Sequence, residues 1–119
     1  MSWTLNIPLV PPSLNTWQRM HWAMRRKIQA EWDLAILALA KEQKLPLCEA
    51  VKLDATIYFS TNRRRDKDNY VVAYKLCQDG LKDALVIFDD DSSRVTFTAP
   101  TLKVGHPPRT ELTISSVSR

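Results

Sequence analysis

VKLDATIYF, residues Val51–Phe59, alternates without a break. Val51, Leu53, Ala55, Ile57 and Phe59 fall on one side; Lys52, Asp54, Thr56 and Tyr58 fall on the other. Successive side chains of an extended chain point to opposite faces, so this run specifies a strand with one apolar face and one wet face. The apolar face needs a cover, and stretches on both sides of the strand supply one. Upstream, Ile28, Trp32, Ala35, Ile36 and Leu39 recur at helical spacing and form one apolar stripe, with Lys41, Glu42 and Lys44 as its polar exit and Pro46 beyond it. Downstream, Tyr70, Tyr74, Cys77, Leu81 and Ala84 form a second stripe, with Gly80 a weak interior spot. Val86, Ile87 and Phe88 are expected to bury the exit of that helix.

Further strands lie at both ends of the chain. Trp3, Leu5 and Ile7 alternate with Thr4 and Asn6 up to Pro8, and Pro11–Pro12 enforces a stiff, extended connection. Val95–Ala99 reads as a third strand, Gly105–Pro108 as a turn region and Arg109–Ser115 as a fourth strand. The order is strand, helix, strand, helix, strand, strand. It implies an α+β fold: a small mixed sheet of about four strands with two main helices packed on it. Residues 1–119 are expected to form a single domain, since no repeat or linker divides them.

With 45% hydrophobic and 25% charged residues, the composition is that of an ordinary globular protein. No apolar run reaches membrane-spanning length and the first residues lack the pattern of a signal peptide, so cytoplasmic residence and no membrane partner are expected. Cys48 and Cys77 have no CxxC spacing and read as buried thiols. Gly80 and Gly105 are the only glycines, which excludes a GxGxxG or Walker loop, so no nucleotide cofactor is expected. His21 and His106 belong to no metal-ligand motif. The formal charge of +4 is clumped, with Arg19, Arg25, Arg26 and Lys27 in one cluster and Arg63, Arg64, Arg65 and Lys67 in another. Two such clusters on one face attract polyanions.

The second cluster lies in NRRRDKDN, residues Asn62–Asn69, at the junction between the decisive strand and the second helix. Asp66 and Asp68, two residues apart, share a side if the backbone there is extended, and Asp68 is well placed as an N-cap. Asp89, Asp90 and Asp91 follow the other end of the helix, where the helix dipole disfavours negative charge. Acids gathered without partners repel, so arginines or a hard cation such as Mg2+ are natural companions. Lys75, two turns after Asp68, offers a cation to a phosphate or leaving oxygen, and Asn69 orders the aspartate loop. Trp17, Trp22 and His21 lie beside basic residues and offer stacking surfaces for bases, whereas Trp32 belongs to the apolar stripe.

The segment RRRDKDNYVVAYKLCQDGLKDALVIFDDDSSRV resembles the RusA family of Holliday-junction resolvases: arginines, D-x-D-N, a helix carrying a lysine and D-x-L, then an acidic loop before a strand. PPSLN, residues 11–15, resembles the family's Pro-Pro-Ser-x-Asn segment after its first strand. The resemblance implies a homodimeric, Mg2+-dependent endonuclease, with Mn2+ as a substitute, that nicks two symmetric strands of a four-way DNA junction. By position, Asp66 and Asp68 are two metal-site carboxylates. Counting from Asp79-Gly80-Leu81 makes Asp90 the third, and anchoring on Ser92 makes it Asp91. The family lysine lies closer to its DxDN; a short insertion between Asn69 and Lys75 reconciles the two. Arg63, Arg64, Arg65, Lys67 and Asn69, with Arg25, Arg26 and Lys27, are the expected DNA-binding residues. The rival readings are a non-catalytic basic DNA-binding module, a small interaction protein, and a related nuclease acting on flaps or forks.

Overall fold

The computed structural model describes residues 1–88 and 94–117. β1 (Ser2–Ile7) leads through a proline-rich segment into the short helix α1 (Leu14–Arg19) and the long helix α2 (Trp22–Gln43). β2 (Val51–Phe59) ends at the charged loop, a 3-10 turn at Lys67–Tyr70 and helix α3 (Val72–Asp83). β3 (Val95–Phe97), β4 (Thr101–Val104) and β5 (Arg109–Ser116) complete the sheet. The architecture is α+β, as the order of strands and helices in the sequence implies.

β2 is central. β5 pairs with it antiparallel from Tyr58↔Arg109 to Val51↔Ser116, and β1 pairs antiparallel with the far side of β5. β3 and β4 both run parallel to β2 along its other edge. The odd residues of β2, with Leu5, Ile7, Leu112 and Ile114, are buried under α2 and α3. The opposite face carries Lys52, Asp54, Thr56, Tyr58 and Glu111, none of them buried.

α2 forms because Ala, Leu, Glu, Gln, Lys and Arg dominate it, all good helix formers. The Ala23 N–H donates to His21 Nδ1 at its start (3.1 Å), and Lys44, at φ 54°, ends it while the Leu45 N–H reaches back to the Ala40 carbonyl. Its buried residues are Trp32 and Ile36, both on the stripe read from the sequence, and Ala40, which that stripe did not include. α3 buries a broader face that adds Val72, Ala73, Leu76 and Gly80 to Tyr74, Cys77 and Leu81. Gly80 is the point of closest approach: a Cβ there would stand 2.5 Å from Ile36 Cδ1. Both cysteines are buried and free, and burial pushes both thiols up, which leaves them protonated and unreactive.

Three expectations need correction. The edge opposite β5 holds two short strands where one was read. Leu53 pairs with Phe97 and Thr56 with Thr101, so four steps along the edge face three along β2, with Pro100 in the extra residue's neighbourhood. Phe88 is 60% exposed, so only Val86 and Ile87 bury the exit of α3. Trp17 is buried at 8% exposure by the docking of α1 and is a core residue, whereas Trp22 is exposed. Among the described residues no helix is long and apolar enough to cross a membrane.

The break between β3 and β4 leaves a buried donor on β2. Tyr74 answers it: the Ala55 N–H donates to Tyr74 Oη at 3.0 Å, and the Tyr74 ring stacks on Phe97 with centroids 4.5 Å apart. Tyr74→Phe removes the acceptor and keeps the ring. It is expected to cost about 1–3 kcal/mol, the desolvation of an unpaired buried N–H, read as a lower urea midpoint at unchanged slope.

On the outer seam of α2 and α3, burial raises the Asp33 carboxyl above the ordinary range and Asp83 and Asp79 raise it further, against a hydrogen bond from Gln29 and the charge of Lys75. The ionised form therefore costs stability at neutral pH, and protonation as pH falls through the raised value relieves that cost. Asp33→Asn keeps an acceptor for Gln29 Nε2 (2.7 Å in the parent) and is expected to raise the unfolding midpoint at pH 7. The gain should vanish below about pH 4, where the parent aspartate is protonated in both states.

Candidate functional site

The C-terminal end of β2 is held by a small apolar cluster of Ile57, Phe59 and Ala73, with Val10, Tyr70 and Leu102 packed against it. Tyr70 meets Phe59 edge-on, with ring centroids 5.1 Å apart. The Arg65 guanidinium lies 3.9 Å over the Phe59 ring and donates to the Thr61 carbonyl (3.0 Å) and hydroxyl (3.2 Å). Arg65 is thus a brace that fixes the turn out of β2. Arg63, Arg64 and Lys67 are exposed, and no side chain among the described residues pairs with their charges.

Asp66 is extended, at φ −94° and ψ 122°, and its Oδ1 accepts the Asp68 N–H at 3.0 Å. Asp66 is therefore the N-cap of the 3-10 turn, the place the sequence suggested for Asp68. The backbone leaves the extended region at Lys67, so an argument from strand geometry does not carry through to Asp68. The Asp68 carboxylate is exposed and without an ion-pair or hydrogen-bond partner among the described residues. Asp66 has one oxygen committed to the cap and one left.

The proline-rich segment completes the site. The buried Thr110 hydroxyl donates to the Leu9 carbonyl (2.8 Å), which pins this segment to β5. Ser13 then caps α1, accepting the Thr16 N–H (3.2 Å), and the Asn15 N–H donates to Asn69 Oδ1 (3.3 Å). PPSLN and the DxDN loop, 54 residues apart at this bond, become the walls of one polar groove of about 380 Å3. Pro11, Pro12, Ser13 and Thr16 form one wall; Arg63, Arg64, Arg65, Asp66, Asn69 and Tyr70 form the other.

The other basic cluster sits at the far end of α1. Arg25 donates through Nε to the Trp17 carbonyl (2.8 Å) and through a terminal nitrogen to the Gln18 carbonyl (2.9 Å), so it caps α1. Four residues of helix separate that end, Arg19, from the DxDN contact at Asn15, about 6 Å of rise. Arg26 lies over the exposed Trp22 ring, 5.6 Å from its centroid, and Lys27 is exposed. Lys75 lines a different cleft, between α3 and β3, and its Nζ pairs with Asp79 Oδ2 at 3.0 Å.

The carboxylates of Asp66 and Asp68 suit a hard cation, which takes oxygen donors and keeps several waters. No group of three His, Cys, Asp or Glu side chains placed to hold a metal occurs among the described residues. The expected third carboxylate, Asp90 or Asp91, lies outside them, as does Asp89. Ser13 and Thr16 line the groove although nothing in the sequence marked them individually, the signal for Ser13 being the PPSLN segment as a whole; Tyr70, read as part of the helical stripe, stands in the 3-10 turn before α3 and lines the groove too. No protein-family model matches the chain, and no curated protein matches it.

Proposed function

We propose that this chain is a Mg2+-dependent, structure-specific endonuclease that resolves four-way DNA junctions by paired symmetric nicks, working as a homodimer. One observation carries the reading: the Asn15–Asn69 bond joins the two segments that resemble the RusA family into a single groove, one wall of which carries arginines and an aspartate together. Helix caps alone would use Asp66 and leave Asp68, Arg63 and Arg64 without a task.

In this reading Arg63 and Arg64 take the phosphates, and Arg65 and Asn69 hold the loop that presents them. Asp66 and Asp68, with Asp90 or Asp91, are the residues that would hold the metal. Bound Mg2+ supplies Lewis-acid polarisation of a phosphodiester and a source of hydroxide at neutral pH, and Mn2+ can substitute. Lys75, in the neighbouring cleft, contributes positive charge toward the leaving side of the same strand. Arg26 and Lys27 extend the basic track past α1. Two sites related by a twofold axis suit a substrate with two equivalent strands.

The test uses a labelled synthetic four-way junction with Mg2+ or with EDTA. Paired symmetric nicks that need Mg2+ are expected. Junction binding without nicks would replace the enzyme by a DNA-binding module, and nicks confined to flaps or forks would change the substrate.

A further inference from the structure

The cleft between α3 and the sheet edge has an aromatic floor. Phe97 is 47% exposed, yet its other face is stacked on Tyr74 with planes 20° apart. Tyr74 is 1% exposed and tied by its hydroxyl to the Ala55 N–H. The exposed ring is therefore held rigid by a buried ring that is itself locked, an arrangement a solvated edge strand does not need. Val71, Lys75, Gln78 and Asp79 complete the cleft, whose volume is about 460 Å3. Lys75 offers three ammonium donors, and its bond to Asp79 at 3.0 Å occupies one. The half-buried Gln78 brings an amide that can donate and accept. The cleft adjoins the polar groove: Val71 lines the one and its chain neighbour Tyr70 lines the other.

A flat apolar surface, an amide at its side and a cation at its rim match the three parts of a nucleotide: base face, base edge and phosphate. We propose that Phe97 is a stacking platform for an unpaired nucleobase at the branch point of the DNA, with Lys75 on its phosphate. This rests on the nuclease reading above and adds to it a source of discrimination. In a continuous duplex every base is already stacked, so the platform rewards only DNA that presents a base free of its neighbours. Basic residues that contact phosphates alone cannot make that distinction.

The experiment measures binding to a four-way junction and to a linear duplex of the same sequence, in Ca2+ to hold back cleavage, with 2-aminopurine at the branch-point positions. Phe97→Leu keeps an apolar contact with Tyr74 and removes the π face; Phe97→Trp restores a larger one. Stacking on an aromatic side chain amounts to roughly a ten-fold change in affinity for one base. Phe97→Leu is therefore expected to weaken junction binding about ten-fold, to leave duplex binding unchanged and to abolish the 2-aminopurine response, all recovered in Phe97→Trp. Junction affinity and fluorescence unchanged in Phe97→Leu would overturn the platform while leaving the nuclease reading intact. So would a loss of self-association in Phe97→Leu, which would make the ring a contact between two copies of the chain. No binding of either DNA by the parent protein at low salt would instead remove the nuclease reading, and the platform with it. Thermal melts of both variants, expected close to the parent because Phe97 is half exposed, separate these results from misfolding.

Discussion

Asp68→Asn is expected to abolish Mg2+-dependent nicking while the protein folds normally and binds branched DNA as tightly as before, or more tightly. The Asp68 side chain holds nothing together: it is exposed, and no described residue bonds to it. Amide for carboxylate changes its shape little and deletes one negative charge beside the groove, whose lining includes the nearby Asp66 and Asn69, so binding of phosphates there should not suffer. What is lost is a ligand for a hard cation. If the ion's stabilisation of transition-state charge falls by about 4 kcal/mol, the rate falls roughly a thousand-fold. Asp66 allows the structural and chemical roles to be divided. Asp66→Asn retains an oxygen for the Asp68 N–H, so it should be inactive and stable; Asp66→Ala should be inactive and also lose about 1 kcal/mol with the cap. Denaturation midpoints and cleavage assays on the three variants check both halves. Full nicking by Asp68→Asn would remove the site assignment.

Gly80→Val is expected to be the most damaging single substitution in the helix layer. A Cβ at Gly80 would stand 2.5 Å from Ile36 Cδ1 and 3.3 Å from Ile36 Cβ, and Ile36 is fully buried. Alanine gains about 1 kcal/mol of helix propensity against part of that clash. Valine adds two γ-carbons to a Cβ that already overlaps the buried Ile36 side chain. A loss of about 3 kcal/mol follows, a large share of the total stability of a small domain. Urea titration checks the size. A double-mutant cycle with Ile36→Ala checks the cause, because shortening Ile36 should return much of the loss.

Gly80 also shows how far periodicity reaches. Its cost to an isolated helix was plain in the sequence; its use was not, since that depends on which side chain of α2 faces it. β2, β1, β5 and the stripes of α2 and α3 were legible because each has an apolar face, and burial writes itself as a period of two or of about 3.6. β4 went unread although TLKV alternates polar and apolar residues: four residues are too short a run to stand out, and its apolar positions are weakly covered, with Leu102 half-buried and Val104 exposed. Trp17 and Trp22 looked equivalent beside their basic neighbours, and only the docking of α1 separates a core residue from a surface one. At the site, the residue types and their order were visible. The division of labour was not: Arg65 and Arg25 brace the backbone, and Asp66 rather than Asp68 takes the cap. Each assignment depends on a turn whose dihedral angles no spacing rule encodes. The stacking of Phe97 on Tyr74 joins residues from two elements and left no mark on either.

The place of β5 has a consequence for how the protein is made. β5, which follows the other four described strands in the chain, is inserted between β1, the first, and β2. Until it arrives, β1 has no neighbour in the sheet and one long edge of β2 is open. The helices can form early from local contacts, but the sheet cannot close before residues more than a hundred positions apart have met, as Ser2 and Ser115 do. Such pairing is slow, and chains waiting for it expose edges that bind one another. The polypeptide is therefore most vulnerable to self-association until β5 is free to pair with β1 and β2.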